Sequence, residues 1–139
     1  MKPAPFAYRR PETLDEALAI LAEHGSDAKP LAGGQSLVPA MNFRLAQPAV
    51  LVDLNPIGTL AGVWDAGDAL RIGAMTRHQT LESDPRVAAR APLVAEAMPW
   101  VAHPPIRTRG TIGGSLAHAD PAAELPAVCL ALDATMTLR

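Results

Sequence analysis

The chain has 139 residues, 49% of them apolar, and a net charge of −2. This length suits one domain, or two small lobes that share a core, and so high an apolar fraction argues against disorder. The sequence has no basic face or long charge run, so nucleic acid is a poor candidate partner. No apolar stretch approaches the length of a membrane span and the N-terminus lacks an apolar signal region, which predicts a cytoplasmic protein.

Cysteine content limits the metal chemistry that these residues can support. Cys129 is the single cysteine, and alone it can form no internal disulfide, iron–sulfur cluster or structural zinc site. Any metal-centre chemistry is therefore expected from a partner chain. Because its neighbours are apolar, we expect Cys129 to be a small buried hydrophobe.

The first half of the chain predicts short strands alternating with helices. Thr13 and Glu16 have the spacing of a capping box, and apolar residues at helical spacing follow until Gly25, a typical helix terminator. The expected elements are a helix at 14–24, strands at 29–32 and 50–54, and one or two helical turns at 37–42. They would form a small β-α-β lobe comprising residues 1–55.

The second half predicts a larger α+β lobe. An Asp-Ala-Gly-Asp stretch between two apolar runs is typical of a hairpin turn. Thr76 and Gln79 have the spacing of a second capping box, and Asp120 with Pro121 is a good N-cap and N1 pair. The expected elements of this lobe, residues 56–139, are strands at 59–64, 69–74 and 134–138, helices at 86–98 and 121–132, and an irregular stretch at 99–110.

Two glycine-rich segments are the candidates for ligand chemistry: Gly33-Gly34-Gln35-Ser36 and Gly113-Gly114-Ser115. Adjacent glycines let backbone N–H groups converge without an obstructing side chain, and such a nest binds phosphate oxygens. Two facing nests would suit a pyrophosphate. Neither segment is G-x-G-x-x-G and neither carries a P-loop lysine, so neither a Rossmann site nor nucleotide hydrolysis is indicated. Tight turns without any ligand are the alternative.

These segments resemble the two FAD loops of the flavoprotein subunits of the molybdenum hydroxylases, the xanthine dehydrogenase and carbon monoxide dehydrogenase family. Residues 32–41 are similar to the first loop and residues 106–121 to the second, while 6–11 and 72–76 match in order and spacing. The resemblance covers the whole chain. It implies the α+β, two-lobed FAD-binding fold also seen in the vanillyl-alcohol oxidase group. Because family subunits are much longer, the chain is expected to be truncated before a C-terminal domain.

The resemblance also implies which residues bind FAD, with no catalytic residue and no metal ligand among them. The pyrophosphate is expected between the two loops, held by backbone amides and by the hydroxyls of Ser36, Thr111 and Ser115. The implied cofactor-binding residues are Ala32, Gly33, Gly34, Gln35, Ser36, Val101, Ala102, Thr111, Ile112, Gly113, Gly114, Ser115 and Glu124.

Three of these expectations concern particular parts of the cofactor. Glu124 matches an acidic residue near the adenosine or ribosyl part, where a carboxylate can accept from ribose hydroxyls. Val101 and Ala102 stand where the family approaches the flavin ring. Gln35 occupies a position where many relatives have histidine; both side chains can donate a hydrogen bond, so binding is expected to survive the difference.

The function implied by the resemblance is electron relay. FAD would accept electrons from [2Fe–2S] clusters on a small partner subunit and pass them to an external acceptor. Those clusters would be fed by a molybdopterin-binding large subunit, where the substrate is hydroxylated, in a heterotrimer or its dimer. Two alternatives are a truncated, non-catalytic assembly module of such a complex and a stand-alone FAD oxidase of the same fold.

Several other side chains have competing interpretations. Arg107 and Arg109 could meet a phosphate or a partner's carboxylate, or could be solvated loop residues. Trp64 and Trp100 are expected in the core rather than at a partner surface. A metal site formed by His118, Asp120 and Glu124 is conceivable. It is disfavoured because Asp120 has a capping role and the ligand spacing is unusual.

Overall fold

A small parallel sheet forms the first part of the fold. In the computed structural model, which describes residues 1–139, strands β1 (Ala7–Arg9), β2 (Ala28–Leu31) and β3 (Val50–Asp53) pair in the order β1-β3-β2. All four residues of the central strand β3 are buried, in keeping with its continuous Val-Leu-Val run. The crossovers contain α1 (Leu14–His24) and α2 (Leu37–Asn42).

Helix α1 begins and ends as the sequence predicts. The Thr13 side chain accepts from the Glu16 amide, and the Glu16 carboxylate accepts from the Thr13 amide, which completes the capping box. Gly25 ends the helix with φ +51°, a conformation that favours glycine. The helix buries Ala17 against the sheet.

A hairpin and six short helices make up the rest of the chain. Strand β4 (Val63–Ala66) pairs antiparallel with β5 (Ala69–Ile72), so the predicted hairpin is confirmed with Gly67 and Asp68 in its turn. The helices are α3 (His78–Ser83), α4 (Pro85–Arg90), α5 (Pro92–Ala97), α6 (Pro104–Arg107), α7 (Ile112–His118) and α8 (Glu124–Ala131). Single 3₁₀ turns occupy Gly25–Asp27, Gly58–Leu60 and Met98–Trp100.

The buried apolar residues form two clusters. The cluster beneath the parallel sheet consists of Ala17, Ala28, Val50, Val52 and Ile57. The cluster among the helices and the hairpin consists of Val63, Leu81, Val87, Val94, Met98, Val101, Ile112, Leu125 and Val128. A division of the chain into lobes at residue 55 stays a prediction.

Proline explains where two predicted helices differ from the structure. The helix expected at 86–98 is divided into α4, α5 and a 3₁₀ turn, because Pro92 forces Ala91 out of helical geometry (φ −141°, ψ 59°). The helix expected to start at Pro121 begins instead at Glu124. This start places Pro126 in the first turn, where its missing N–H costs nothing, whereas an earlier start would put it in the helix interior.

Four further local predictions were wrong. The stretch expected to be irregular at 99–110 contains α6. Residues 59–64 form a 3₁₀ turn followed by the start of β4, and 134–138 form no strand. A strand needs a neighbouring strand, and no strand lies beside 134–138, whose Ala134 amide donates instead to the Cys129 carbonyl of α8. Thr76 does not cap α3; its hydroxyl instead accepts from the Gly62 amide and donates to the Gly62 carbonyl, both at 2.9 Å.

Side-chain burial departs from expectation at the tryptophans. Trp64 is 41% exposed and Trp100 is 78% exposed. Both were expected in the core, so this prediction was wrong. Trp64 lies over Gly62 and beneath the Arg71 guanidinium, and an amphipathic ring tolerates such a half-covered position. Cys129 is buried, as predicted, and burial raises the pKa of its thiol. No helix has both the length and the apolar character that a membrane crossing requires.

Candidate functional site

The fold brings the two glycine segments together. A Cβ on Gly33 would lie 2.4 Å from the Arg109 carbonyl oxygen and 2.8 Å from the Gly110 Cα, so only glycine fits at this contact. A Cβ on Gly114 would lie 3.5 Å from the Ala32 Cβ. The first segment, 32–36, therefore packs directly on the residues that precede and begin α7.

The first segment has backbone donors without partners. The amides of residues 33–36 donate to no group of the protein. Gly34 has φ +72°, the left-handed conformation that lets successive N–H groups turn toward one side in a nest. The Gln35 side-chain amide donates to the Gly33 carbonyl at 3.1 Å, and Asn55 Nδ2 donates to the Ala32 carbonyl at 3.0 Å. Both contacts hold the carbonyls and leave the amides available.

The second segment differs, because its amides are already bonded within the protein. The Ile112 amide donates to the Thr76 carbonyl at 3.1 Å, and the Gly113 amide donates to the Ala74 carbonyl at 2.8 Å. The Gly114 amide donates to the Thr111 hydroxyl at 3.1 Å, and the Ser115 amide donates to the Thr111 carbonyl at 3.0 Å. These residues form the first turn of α7 rather than a loop. The part that these residues play in binding a phosphate stays a prediction.

The reason for the two later glycines is packing. A Cβ on Gly113 would lie 2.6 Å from the Ala74 Cβ, and one on Gly114 would lie 2.8 Å from the Thr111 hydroxyl oxygen. Thr111 is 2% exposed, and its hydroxyl oxygen caps α7 by accepting from the Gly114 amide. The Ser36 and Ser115 hydroxyls have no protein partner and remain available to a ligand.

Arg107 is neither a solvated loop residue nor a free cation. It is 7% exposed and forms an ion pair with Glu82, Nε to Oε2 at 2.9 Å. Its Nη1 donates to the carbonyls of Pro99, Val101 and Ala102 at 3.2–3.4 Å. Ala102 has φ +50°, which is strained for a residue with a Cβ. Arg107 therefore holds in place the segment that the resemblance assigns to the flavin ring.

A profile of one protein family matches this chain over residues 4–139; its description is "FAD binding domain in molybdopterin dehydrogenase". The chain belongs to this family. As an FAD-binding domain of that kind, it has the α+β fold that the sequence predicts, and the resemblance inferred from the glycine segments is confirmed.

The relatives agree in sequence and in structure. The chain is 52% identical over 137 residues to the 6-hydroxypseudooxynicotine dehydrogenase complex subunit alpha of Paenarthrobacter nicotinovorans, covering 99% of this chain and 46% of that protein. It is 48% identical over 138 residues to the carbon monoxide dehydrogenase medium chain of Hydrogenophaga pseudoflava, covering 99% and 48%. A solved structure of that organism's carbon monoxide dehydrogenase, lacking the Mo-pyranopterin moiety of its cofactor, superposes with a TM-score of 0.93 at 50% identity, over 94% of this chain and 46% of the other. The chain spans about half the length of the curated relatives it matches.

His78 is a feature of this FAD-binding domain that sequence reasoning missed. It is 5% exposed, and neither ring nitrogen has a hydrogen-bond partner. A Cβ on Gly110 would lie 2.7 Å from its Nδ1, and its backbone amide donates to the Gly110 carbonyl at 2.9 Å. Burial, with the nearby Arg107, lowers the pKa of His78 and outweighs the Thr111 backbone and Glu124, which raise it. Only the fold places this neutral ring beneath the second segment; nothing in the sequence marks it.

Two other charged positions lie near the segments. Arg109 is exposed and its side chain has no hydrogen-bond or ion-pair partner. The pKa of the Arg77 guanidinium is lowered first by burial and second by the nearby charge of Arg109. Glu124, the first residue of α8, is half-buried and also without a partner. The structure forms no cluster of three metal-ligating side chains, so His118, Asp120 and Glu124 do not assemble a metal site.

Proposed function

We propose that this domain binds FAD within the flavoprotein subunit of a molybdenum hydroxylase and serves as an electron relay. Bound FAD would supply the redox chemistry, taking electrons from [2Fe–2S] clusters and giving them to an external acceptor. The residues of this chain bind and orient the cofactor, and none of them is required as a general acid or base.

One observation carries the proposal: four consecutive amides, those of residues 33–36, lack partners at the contact between the two glycine segments. Backbone donors without partners at a glycine turn bind phosphate oxygens, and a pyrophosphate presents two adjacent anionic groups. The exposed Arg109, whose backbone carbonyl contacts Gly33, adds positive charge to this part of the second segment. The amides of the second segment donate within the protein, so the proposal rests on the partner-free amides of the first.

The remaining FAD contacts follow from the groups that stay available. Ser36 and Ser115 offer hydroxyls to the phosphates, and Glu124 offers a carboxylate acceptor to ribose hydroxyls. Val101 and Ala102 would approach the flavin ring, with their carbonyls held by Arg107. Thr111, Gly113 and Gly114 act indirectly by shaping α7.

The partners proposed for the relay are a small [2Fe–2S] subunit and a large molybdopterin-binding subunit, assembled as a heterotrimer or its dimer. The names of the relatives, "complex subunit alpha" and "medium chain", describe parts of multi-subunit dehydrogenases. Within these 139 residues a single buried cysteine is present, which is too few ligands for a cluster. These residues therefore supply no iron–sulfur centre, and we propose that the small subunit carries the clusters.

FAD binding is tested with two glycines that have the same positive φ. Gly34 and Gly67 both have φ +72°, but Gly67 lies in the β4–β5 turn with open space around it. Valine at either position suffers similar backbone strain. We expect Gly34→Val to weaken FAD binding at least about tenfold, measured by flavin titration of folded protein, and Gly67→Val to bind as wild type. Equal affinity in both variants would refute the nest.

Electron relay is tested by adding candidate aldehydes, aromatic heterocycles or carbon monoxide anaerobically and following flavin absorbance. We expect no bleaching with the chain alone and bleaching when both partner subunits are co-expressed. Bleaching by an organic substrate without partners would instead support a stand-alone FAD oxidase. A partner complex that assembles without flavin would support the assembly module.

A further inference from the structure

We propose that Asn55 and Arg77 form a clamp that sets the position of the two glycine segments relative to each other; the proposal rests on FAD binding at those segments. Asn55 Nδ2 donates to the Ala32 carbonyl of the first segment at 3.0 Å. Arg77 Nη1 donates to the Arg109 carbonyl of the second segment. Arg77 Nη2 donates to Asn55 Oδ1, which joins the two halves of the clamp.

The clamp is anchored on the central strand of the parallel sheet. Asp53, the last residue of β3, is 7% exposed and accepts from the Asn55 backbone amide at 3.0 Å, from Asn55 Nδ2 and from the Tyr8 hydroxyl. Burial raises the pKa of the Asp53 carboxyl, but these donors outweigh it and the net pKa is lowered. A carboxylate that accepts three hydrogen bonds, one of them from Asn55 Nδ2, therefore fixes the side-chain amide of Asn55 in one orientation.

The geometry of arginine is essential to this arrangement. The two terminal nitrogens of Arg77 reach two different acceptors, a backbone carbonyl and the Asn55 amide oxygen. A planar guanidinium presents such paired donors at a fixed spacing, whereas lysine presents one compact ammonium. The Arg109 carbonyl oxygen that accepts from Arg77 is the atom that a Cβ on Gly33 would approach too closely. Arg77 therefore sets the distance between Arg109 and the first segment.

We therefore assign Asn55 and Arg77 as positioning residues. They act through the Ala32 and Arg109 carbonyls and need not touch FAD. Their contribution is expected in the alignment of the nest rather than in global stability, since Asn55 is exposed and exposed polar contacts stabilise a fold only slightly.

The test compares Arg77→Lys, Asn55→Ala and the double variant with a matched control, Arg90→Lys. Arg90 also spans two acceptors, Asp65 and the Gly67 carbonyl, but at the hairpin. We expect each clamp variant to weaken FAD binding about five- to tenfold and the double variant to be no weaker than the worse single one, because the two residues act as a unit. Arg90→Lys should bind FAD as wild type.

A second measurement reads the clamp without FAD. Hydrogen exchange of the Arg109 and Gly110 amides, which both donate to the Ile106 carbonyl, should quicken in Arg77→Lys and stay unchanged in Arg90→Lys, while urea midpoints of both variants remain close. If wild-type protein failed to bind FAD, the proposed function would fall, but the exchange result would still decide the clamp. Unchanged exchange in Arg77→Lys, or independent and additive effects of the two residues on affinity, would overturn it.

Discussion

Replacing Gly33 by alanine is the sharpest test of the contact between the two glycine segments. The added Cβ would lie 2.4 Å from the Arg109 carbonyl oxygen, whereas ordinary contacts begin at 3.4 Å. The neighbour is backbone, which cannot rotate away, so the segments must separate by about 1 Å. Overpacking of this kind costs about 1–3 kcal/mol of unfolding free energy.

The effect on cofactor binding should be similar in free energy to the effect on the fold. Displacing binding groups by about 1 Å reduces their effectiveness by one to two orders of magnitude, so we expect Gly33→Ala to bind FAD about ten- to a hundredfold more weakly. The assay is flavin titration at a temperature where circular dichroism shows that the variant remains folded.

Gly58→Ala is the matched control for this substitution. Gly58 does not adopt a positive φ and nothing lies within 4 Å of its added Cβ. Alanine at such a site restricts the unfolded chain and stabilises by about 0.4–1 kcal/mol. The two glycines should thus change stability in opposite directions. A Gly33→Ala protein with wild-type stability and wild-type FAD affinity would show that the segments are not held as described.

Other variants test the groups around the segments. Because burial lowers the pKa of His78, the unfolded state binds a proton at a higher pH than the folded state does. The free energy of unfolding should therefore fall as pH drops below about 6.5. In urea unfolding across that range, His78→Gln should flatten this decline and the exposed control His118→Gln should not. Arg107→Ala leaves Glu82 and three carbonyls without partners and should cost about 2–5 kcal/mol, measured in urea, with lysine restoring less than half of it. Thr111→Ala removes the α7 cap and should cost about 0.5–2 kcal/mol by the same assay.

The sequence was informative wherever the relevant interaction is local. The capping box of α1 and its glycine terminator involve residues three or four apart or directly adjacent, so their pattern survives in the sequence. The buried strand Val50–Asp53 is visible as an apolar run for the same reason. Where a local rule competes with proline chemistry, as at Pro92 and Pro126, the pattern of apolar residues alone gave helix boundaries that were wrong.

By itself the sequence determined that two glycine segments exist, that they resemble FAD loops and that no metal cluster can be built from one cysteine. Only the tertiary structure decided which segment has amides to offer. The amides of 112–115 find acceptors at Ala74, Thr76 and Thr111, whereas those of 33–36 find none. The same holds for Arg107, which the fold buries against Glu82. A hydrogen bond depends on the position of its acceptor, and acceptors distant in the chain are brought near only by folding.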